Sequence, residues 1–198
     1  MKTPTHFLMT AALRKTLPQW KMSRSAVLLG SIAPDLALYG LTFGGLFYFQ
    51  YVEGWTLRES ARHIFGTLYF NDPIWIGLHN FLHSPLNLVL LLIANRIFLS
   101  GRPVLATWVR WFLLACLLHS VVDIFTHYDD GPLLLWPLNW ELRFQSPVSY
   151  WDHRHFGSEA SKFELVFVLV MIAYLTGPWI LEKLKAISGR TIPDKPHR

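Results

Sequence analysis

Charge is scarce in this chain. Asp, Glu, Lys and Arg make up 16% of its 198 residues, whereas 52% are hydrophobic. Soluble domains carry about 25% charged residues, so an ordinary soluble domain is excluded as the first reading. Cysteine is scarcer still. Cys116 stands alone, which excludes an intramolecular disulfide framework. It lies within an apolar run and reads as a small buried or lipid-facing residue. Common reaction signatures are also missing: there is no GxSxG elbow, P-loop, GxGxxG or HExxH. No Arg-rich segment of the kind that binds nucleic acid is present. No nucleic-acid partner is therefore expected, despite a net charge of +5. The first 21 residues hold too short an apolar stretch, with His6 and Pro4 inside it, for a cleavable signal peptide. Residues 1–17 read instead as an amphipathic helix with Pro4 in its first turn.

What remains is mostly apolar. Four runs, at 36–52, 85–99, 104–122 and 165–180, span 15 to 19 residues each. That is near the length of about 20 residues that a spanning helix needs. The expected fold is all-α: a polytopic membrane helical bundle with about four membrane helices plus amphipathic helices. Nine Trp and fourteen Phe supply interfacial anchors. Residues 1–182 read as a single membrane-embedded domain and 183–198 as a basic tail. Gly40 and Gly44 form a small-xxx-small packing pair. Residues 53–73 read as a loop with a short amphipathic helix bearing Arg58, Arg62 and His63. Residues 128–161 form a long aromatic excursion. Gly177-Pro178 is expected to kink or stop the last helix. Lys and Arg cluster before the first run, between the second and third, and after the fourth. That bias puts both termini in the cytoplasm. It also separates His6 and Asp35 from His83 and Asp123, unless the stretch around Asp35 crosses or re-enters the membrane.

The chemistry lies at the ends of these runs. His119, Asp123 and His127 are four residues apart, so on a helix they share one face. Ionisable groups at the edge of a lipid-facing segment are costly. Imidazole and carboxylate in one stripe suit zinc and similar ions. His79 and His83 repeat the spacing, and His6 and Asp35 stand beside other apolar segments. These seven candidates could hold one or two divalent ions, with Asp123 as a bridge. His155 precedes Glu159 by four residues, with Glu164 beyond. Arg143 and Arg154 could grip a phosphate by bidentate hydrogen bonds.

Each residue has a plainer reading. His6 could simply be hydrogen-bonded, Asp35 a helix N-cap, and His79 and His83 interfacial anchors. His119 and Asp123 could be a buried pair and His127 a first loop residue. His63 and His197 read as solvent-facing. Together, five such coincidences in one small apolar chain favour a metal site. A haem held by two axial His is disfavoured by the carboxylates. The position of the candidates near segment ends disfavours a channel or carrier.

The ordered set Thr5-His6, Gly30-Ser31-x-x-Pro34-Asp35, His79-xxx-His83-Ser84, His119-xxx-Asp123-xx-Thr126-His127 and Ser146-Pro147-x-Ser149-Tyr150-Trp151-Asp152 resembles the bacterial YdjM-like membrane-bound metal-dependent hydrolases. The likeness runs from Thr3 to Glu164. It implies a multi-pass inner-membrane protein and a hydrolase activity. A more distant likeness is to zinc-dependent phospholipase C and the single-strand-specific zinc nucleases. That likeness implies metal ligands at His6, Asp35, His79 or His83, His119 and Asp123, with Glu164 near a further ion. The expected reaction is hydrolysis of a phosphoester, in a phospholipid or lipid-linked substrate taken from the bilayer, by metal-activated water. The expected ion is zinc, with manganese or iron as alternatives. Asp35 is the first choice of base, and Arg143, Arg154 and His155 are expected to hold the phosphate or leaving oxygens. The alternative is a non-enzymatic membrane protein whose metal site is structural, sensing or for transport.

Overall fold

The computed structural model describes residues 1–188. The fold is all-helical, as the apolar runs predict. The elements are α1 (Thr3–Thr16), α2 (Arg24–Gly30), α3 (Ala33–Tyr51), α4 (Leu57–His63), a π-helical turn (Ile64–Leu68), α5 (Tyr69–Asn71), α6 (Pro73–Phe81), α7 (Pro85–Phe98), α8 (Pro103–Ile124) and α9 (Gly157–Ser188). Proline opens α1, α3, α6, α7 and α8, where its missing N–H costs nothing. Side-chain caps fix other starts. Asp72 accepts from Ile74 and Trp75, Ser84 accepts from Asn87, and Thr56 forms a capping box with Glu59.

Two helices, α8 and α9, are each long and apolar enough to cross a membrane. The pairs α2–α3 and α6–α7 pass the same test only jointly, bent by 45° and 55° at their breaks. If each pair is one span, the total is four. The runs read as whole spans at 36–52 and 85–99 are thus halves of broken pairs, and α6 is a helical partner that sequence periodicity did not show.

Other expectations change. Gly177-Pro178 does not stop α9, which continues to Ser188 and takes in Lys183 and Lys185. Pro178 cannot bond the carbonyl four residues earlier. That carbonyl, on Tyr174, instead accepts the Lys15 ammonium at 2.6 Å. Residues 189–198, with His197, lie outside the described residues. Gly40 and Gly44 face open space; it is Gly45 that packs closely, against Ile64 and Trp75. His63 stacks edge-on against Phe49 and Trp55 instead of standing free in solvent. Cys116 is fully buried.

The α1–α2 hairpin settles where His6 and Asp35 lie. Met1 touches Asp123 and Thr126 near the end of α8. Leu13 and Leu17 pack lower down with Val27 and Trp111. Hence α1 runs antiparallel to α8. Returning, α2 runs parallel to it: Ser25 meets Trp108, and Ser31 meets His119. All four groups therefore reach the same end of the bundle. The approach of α2 to α8 is close because Gly30 has no side chain. A Cβ there would lie 2.3 Å from the Phe112 carbonyl oxygen and 2.9 Å from Ala115 Cβ. Gly30→Ala should therefore force the helices apart and cost about 1–3 kcal/mol, read as a lower melting temperature in detergent. Gly40→Ala, with nothing near its site, should change stability by no more than about 1 kcal/mol, in the stabilising direction.

Candidate metal centre

His119 and Asp123 project from the last turns of α8. His83 lies in the break between α6 and α7, and Asp35 in the first turn of α3. One ligand atom from each of these four lies within 4.8 Å of all the others. The Nε2 atoms of His83 and His119 are 3.2 Å apart. Asp123 Oδ2 is 3.1 Å from His119 Nε2 and 3.6 Å from His83 Nε2. Asp35 Oδ1 is 3.4 Å and 3.6 Å from the same two nitrogens.

The far side of each ring fixes the tautomer. His119 Nδ1 donates to the Ser31 carbonyl at 2.8 Å, and His83 Nδ1 donates to the His79 carbonyl at 3.2 Å. A carbonyl can only accept, so each Nδ1 carries a proton. When neutral, the two rings turn Nε2 lone pairs toward each other beside two carboxylates. Imidazoles whose other nitrogen is held by a carbonyl are how metal-binding His is oriented. An N2O2 donor set of this kind suits zinc and related ions.

Asp123 also serves a second group. Its Oδ1 lies 3.0 Å from His6 Nε2, 2.6 Å from the Met1 amine and 3.7 Å from His127 Nε2. The His6 ring stacks on His119 with centroids 3.7 Å apart. The sequence profile of the YdjM inner membrane protein family matches residues 1–184, almost the whole chain. The chain belongs to that family. No curated protein and no solved structure matches it.

The remaining site candidates of this YdjM-family chain are distributed unevenly. His79 sits 4.4 Å from His83, ring to ring, but its Nε2 faces the Tyr69 hydroxyl at 3.1 Å. That hydroxyl donates its one proton to the Asp130 carbonyl at 2.6 Å, so His79 Nε2 is the donor to it. Only His79 Nδ1 is bare. Asp35 does not cap α3; its other oxygen accepts the Thr3 hydroxyl, which lies 2.5 Å from the Tyr39 hydroxyl. Glu164 does not join His155. Its Oε1 accepts the Lys2 backbone N–H at 2.8 Å and the Thr5 hydroxyl at 2.7 Å, tying α1 to α9.

A cavity of about 900 Å³ opens onto the centre, walled by Tyr39, Phe65, Tyr69, Tyr150 and Trp151. Arg143, Arg154 and His155 are not among its lining residues. Arg143 is folded back on the Gly131 carbonyl beside the Leu133–Arg143 bridge. Arg154 is chelated by Asp152, two residues earlier, and holds that carboxyl down at about 2. His155 stacks on Tyr128.

Sequence reading missed Tyr69, because the π-helical turn before it has no periodicity to detect. It also missed the carbonyls of Ser31 and His79, which any residue would supply. Burial raises the Tyr69 hydroxyl's pKa above its usual value, so it stays a donor. Tyr69→Phe would strand His79 Nε2 and the Asp130 carbonyl. It should lower stability by about 1–3 kcal/mol in a thermal melt, whereas Tyr51→Phe, at an exposed residue, should leave the melt unchanged.

Proposed function

We propose that this protein is a metal-dependent hydrolase of the inner membrane that cleaves a phosphoester bond in a phospholipid or lipid-linked substrate. The observation that carries the reading is the pair of imidazole Nε2 atoms 3.2 Å apart, facing two carboxylates; in neutral rings both are lone pairs. Buried polar atoms normally find partners, and two lone pairs cannot partner each other. A divalent cation satisfies all four groups at once. Zinc is the first choice for this donor set, with manganese or iron as alternatives.

In this reading His83, His119, Asp35 and Asp123 hold one ion. His6 and His127, beside Asp123 Oδ1, would offer the place for a second. Such an ion acidifies a bound water and draws charge from phosphoryl oxygens. In the reaction a water oxygen adds to phosphorus, the ester P–O bond breaks, and the departing oxygen takes a proton. Both acids line the cavity, and the Asp35 carboxylate is the more accessible, 16% exposed against 6% for Asp123. The Thr3 hydroxyl, itself backed by the Tyr39 hydroxyl, holds its carboxylate in place, which suits it to orient water. The Ser31 and His79 carbonyls keep the imidazoles aimed. Asp123 joins both groups of ligands.

One observation favours the non-enzymatic alternative, a structural, sensing or transport metal site. Neither arginine expected to grip phosphate turns toward the cavity. Metal content and turnover separate the two. Protein purified in detergent should carry one or two ions per chain by mass spectrometry. His119→Ala and Asp123→Ala should lose them, and Glu164→Gln should keep them. Release of phosphorylated headgroup from mixed phospholipid vesicles should fall by more than the roughly 10–100-fold that residues behind the ligands cost. Metal without turnover on any phosphoester selects the non-enzymatic reading. No metal, even after adding zinc, overturns both.

A further inference from the structure

The two ends of the bundle differ in charge, and the centre lies at one of them. Contacts fix the levels. At the site end, Lys2 and Thr5 meet Glu164, and Met1 meets Asp123 and Thr126. Toward the other end, Lys15 meets Tyr174, Trp20 stacks on Trp111, and Ser25 meets Trp108. Below those contacts lie the α1–α2 turn, the α7–α8 turn and the foot of α9.

Segments 14–24, 96–102 and 182–185 at that far end carry four, two and two Lys or Arg, against the single acid Glu182. At the site end Lys and Arg are sparser: Lys2 just before α1, Lys162 on α9, and two in each of two longer segments. Segment 127–156 carries Arg143 and Arg154 against Asp129, Asp130, Glu141 and Asp152. Segment 52–72, which follows α3 beyond the site, has two Arg against three acids. Lys and Arg in short loops mark the cytoplasmic side. The α1–α2 hairpin carries Met1, His6 and Asp35 from the basic end up to the centre, so the N-terminus does not share the basic end with the foot of α9, where the charge bias alone places it.

The site end also has its own membrane-seating surface. Leu138 is 81% exposed, and Trp140 and Phe144 beside it are more than two-fifths exposed. Trp151, on the cavity wall, is 66% exposed. Aromatic side chains of this kind settle at the headgroup level.

We propose that the metal centre opens on the outer, periplasmic face of the inner membrane and takes its substrate from the outer leaflet, with the 135–144 loop seated in that leaflet beside the cavity. The orientation stands on charge and contacts alone; the leaflet assignment of the substrate rests on the hydrolase reading. A vesicle assay that finds no turnover would sink the hydrolase reading and leave the orientation intact.

The orientation is tested by thiol labelling, with the buried Cys116 as a silent background. Gln145→Cys lies at the site end and Ser100→Cys in the α7–α8 turn, both at exposed positions. A membrane-impermeant maleimide is applied to spheroplasts before and after permeabilisation. Gln145→Cys should label fully before permeabilisation and Ser100→Cys only after it. The reverse pattern, or labelling of both or neither before permeabilisation, overturns the proposal. Labelling of both after permeabilisation shows that each thiol is reactive. Arg58→Cys, also exposed and in the 52–72 segment, repeats the site-end measurement should Gln145→Cys fail to accumulate.

Discussion

The Asp123 carboxylate is the group on which the rest of the site depends. A buried carboxylate is costly unless it is paired and hydrogen-bonded. Here both oxygens are engaged, and by different parts of the chain. Oδ2 faces His119 from its own helix and His83 from the α6–α7 break. Oδ1 faces His6 and the Met1 amine from the N-terminal hairpin, and His127 from just beyond α8. One side chain thereby joins the N-terminal hairpin, the α6–α7 break and α8. Glu164 does similar work from α9, holding α1 by a backbone N–H and a hydroxyl.

The two broken helix pairs have a reason in this arrangement. The last carbonyls of a helix have no partner within it. In an apolar bundle each must be satisfied by something else. The break after α2 leaves the Ser31 carbonyl for His119 Nδ1, and the end of α6 leaves the His79 carbonyl for His83 Nδ1. The His83 carbonyl in turn accepts the Ser120 hydroxyl from α8. An unbroken span would have bonded these carbonyls internally and left the imidazoles free to rotate. The breaks that shorten the apolar runs are the same features that aim the Nε2 atoms of His83 and His119.

The sequence was informative where chemistry repeats at helical spacing. His119-xxx-Asp123 and His83 lie together in the structure, and Asp35 joins them. It misled where local pairing outranked composition. Arg154 looked like a phosphate grip, but Asp152 two residues away captures it in a bidentate pair, a geometry that two planar groups adopt readily. His155 and Glu159 had ligand spacing, yet His155 stacks on Tyr128 because the 3₁₀ turn at His153–His155 turns it aside. The α1–α2 hairpin could not be read at all from hydropathy. Helix α1 holds buried Thr5, His6 and Thr10, polar residues that a composition reading assigns to the surface. The burial of Thr5 and His6 follows from partners 159 and 117 residues away in the chain, which no local window contains.

The charge of the cavity ties the substrate reading to the metal reading. Lys2 is the sole Lys or Arg among the described residues that line it, against Asp35, Asp123, Asp129, Asp130 and Asp152. Lys2 Nζ itself lies 3.9 Å from Glu164. An anionic phosphoester entering such a wall meets repulsion, about 4 kcal/mol per charge pair at 4 Å for an effective dielectric of 20. Arg143 and Arg154 do not turn inward to offset it. The Met1 amine is paired with Asp123, and one divalent ion would only cancel the formal charge of the two carboxylates and two neutral imidazoles of the four-ligand centre. A second ion beside Asp123 Oδ1 would leave the centre net positive and able to attract a phosphate. The proposed phosphoester cleavage therefore depends on metal occupancy, though occupancy does not require cleavage, because without the ions the fixed charge of the cavity selects against the substrate.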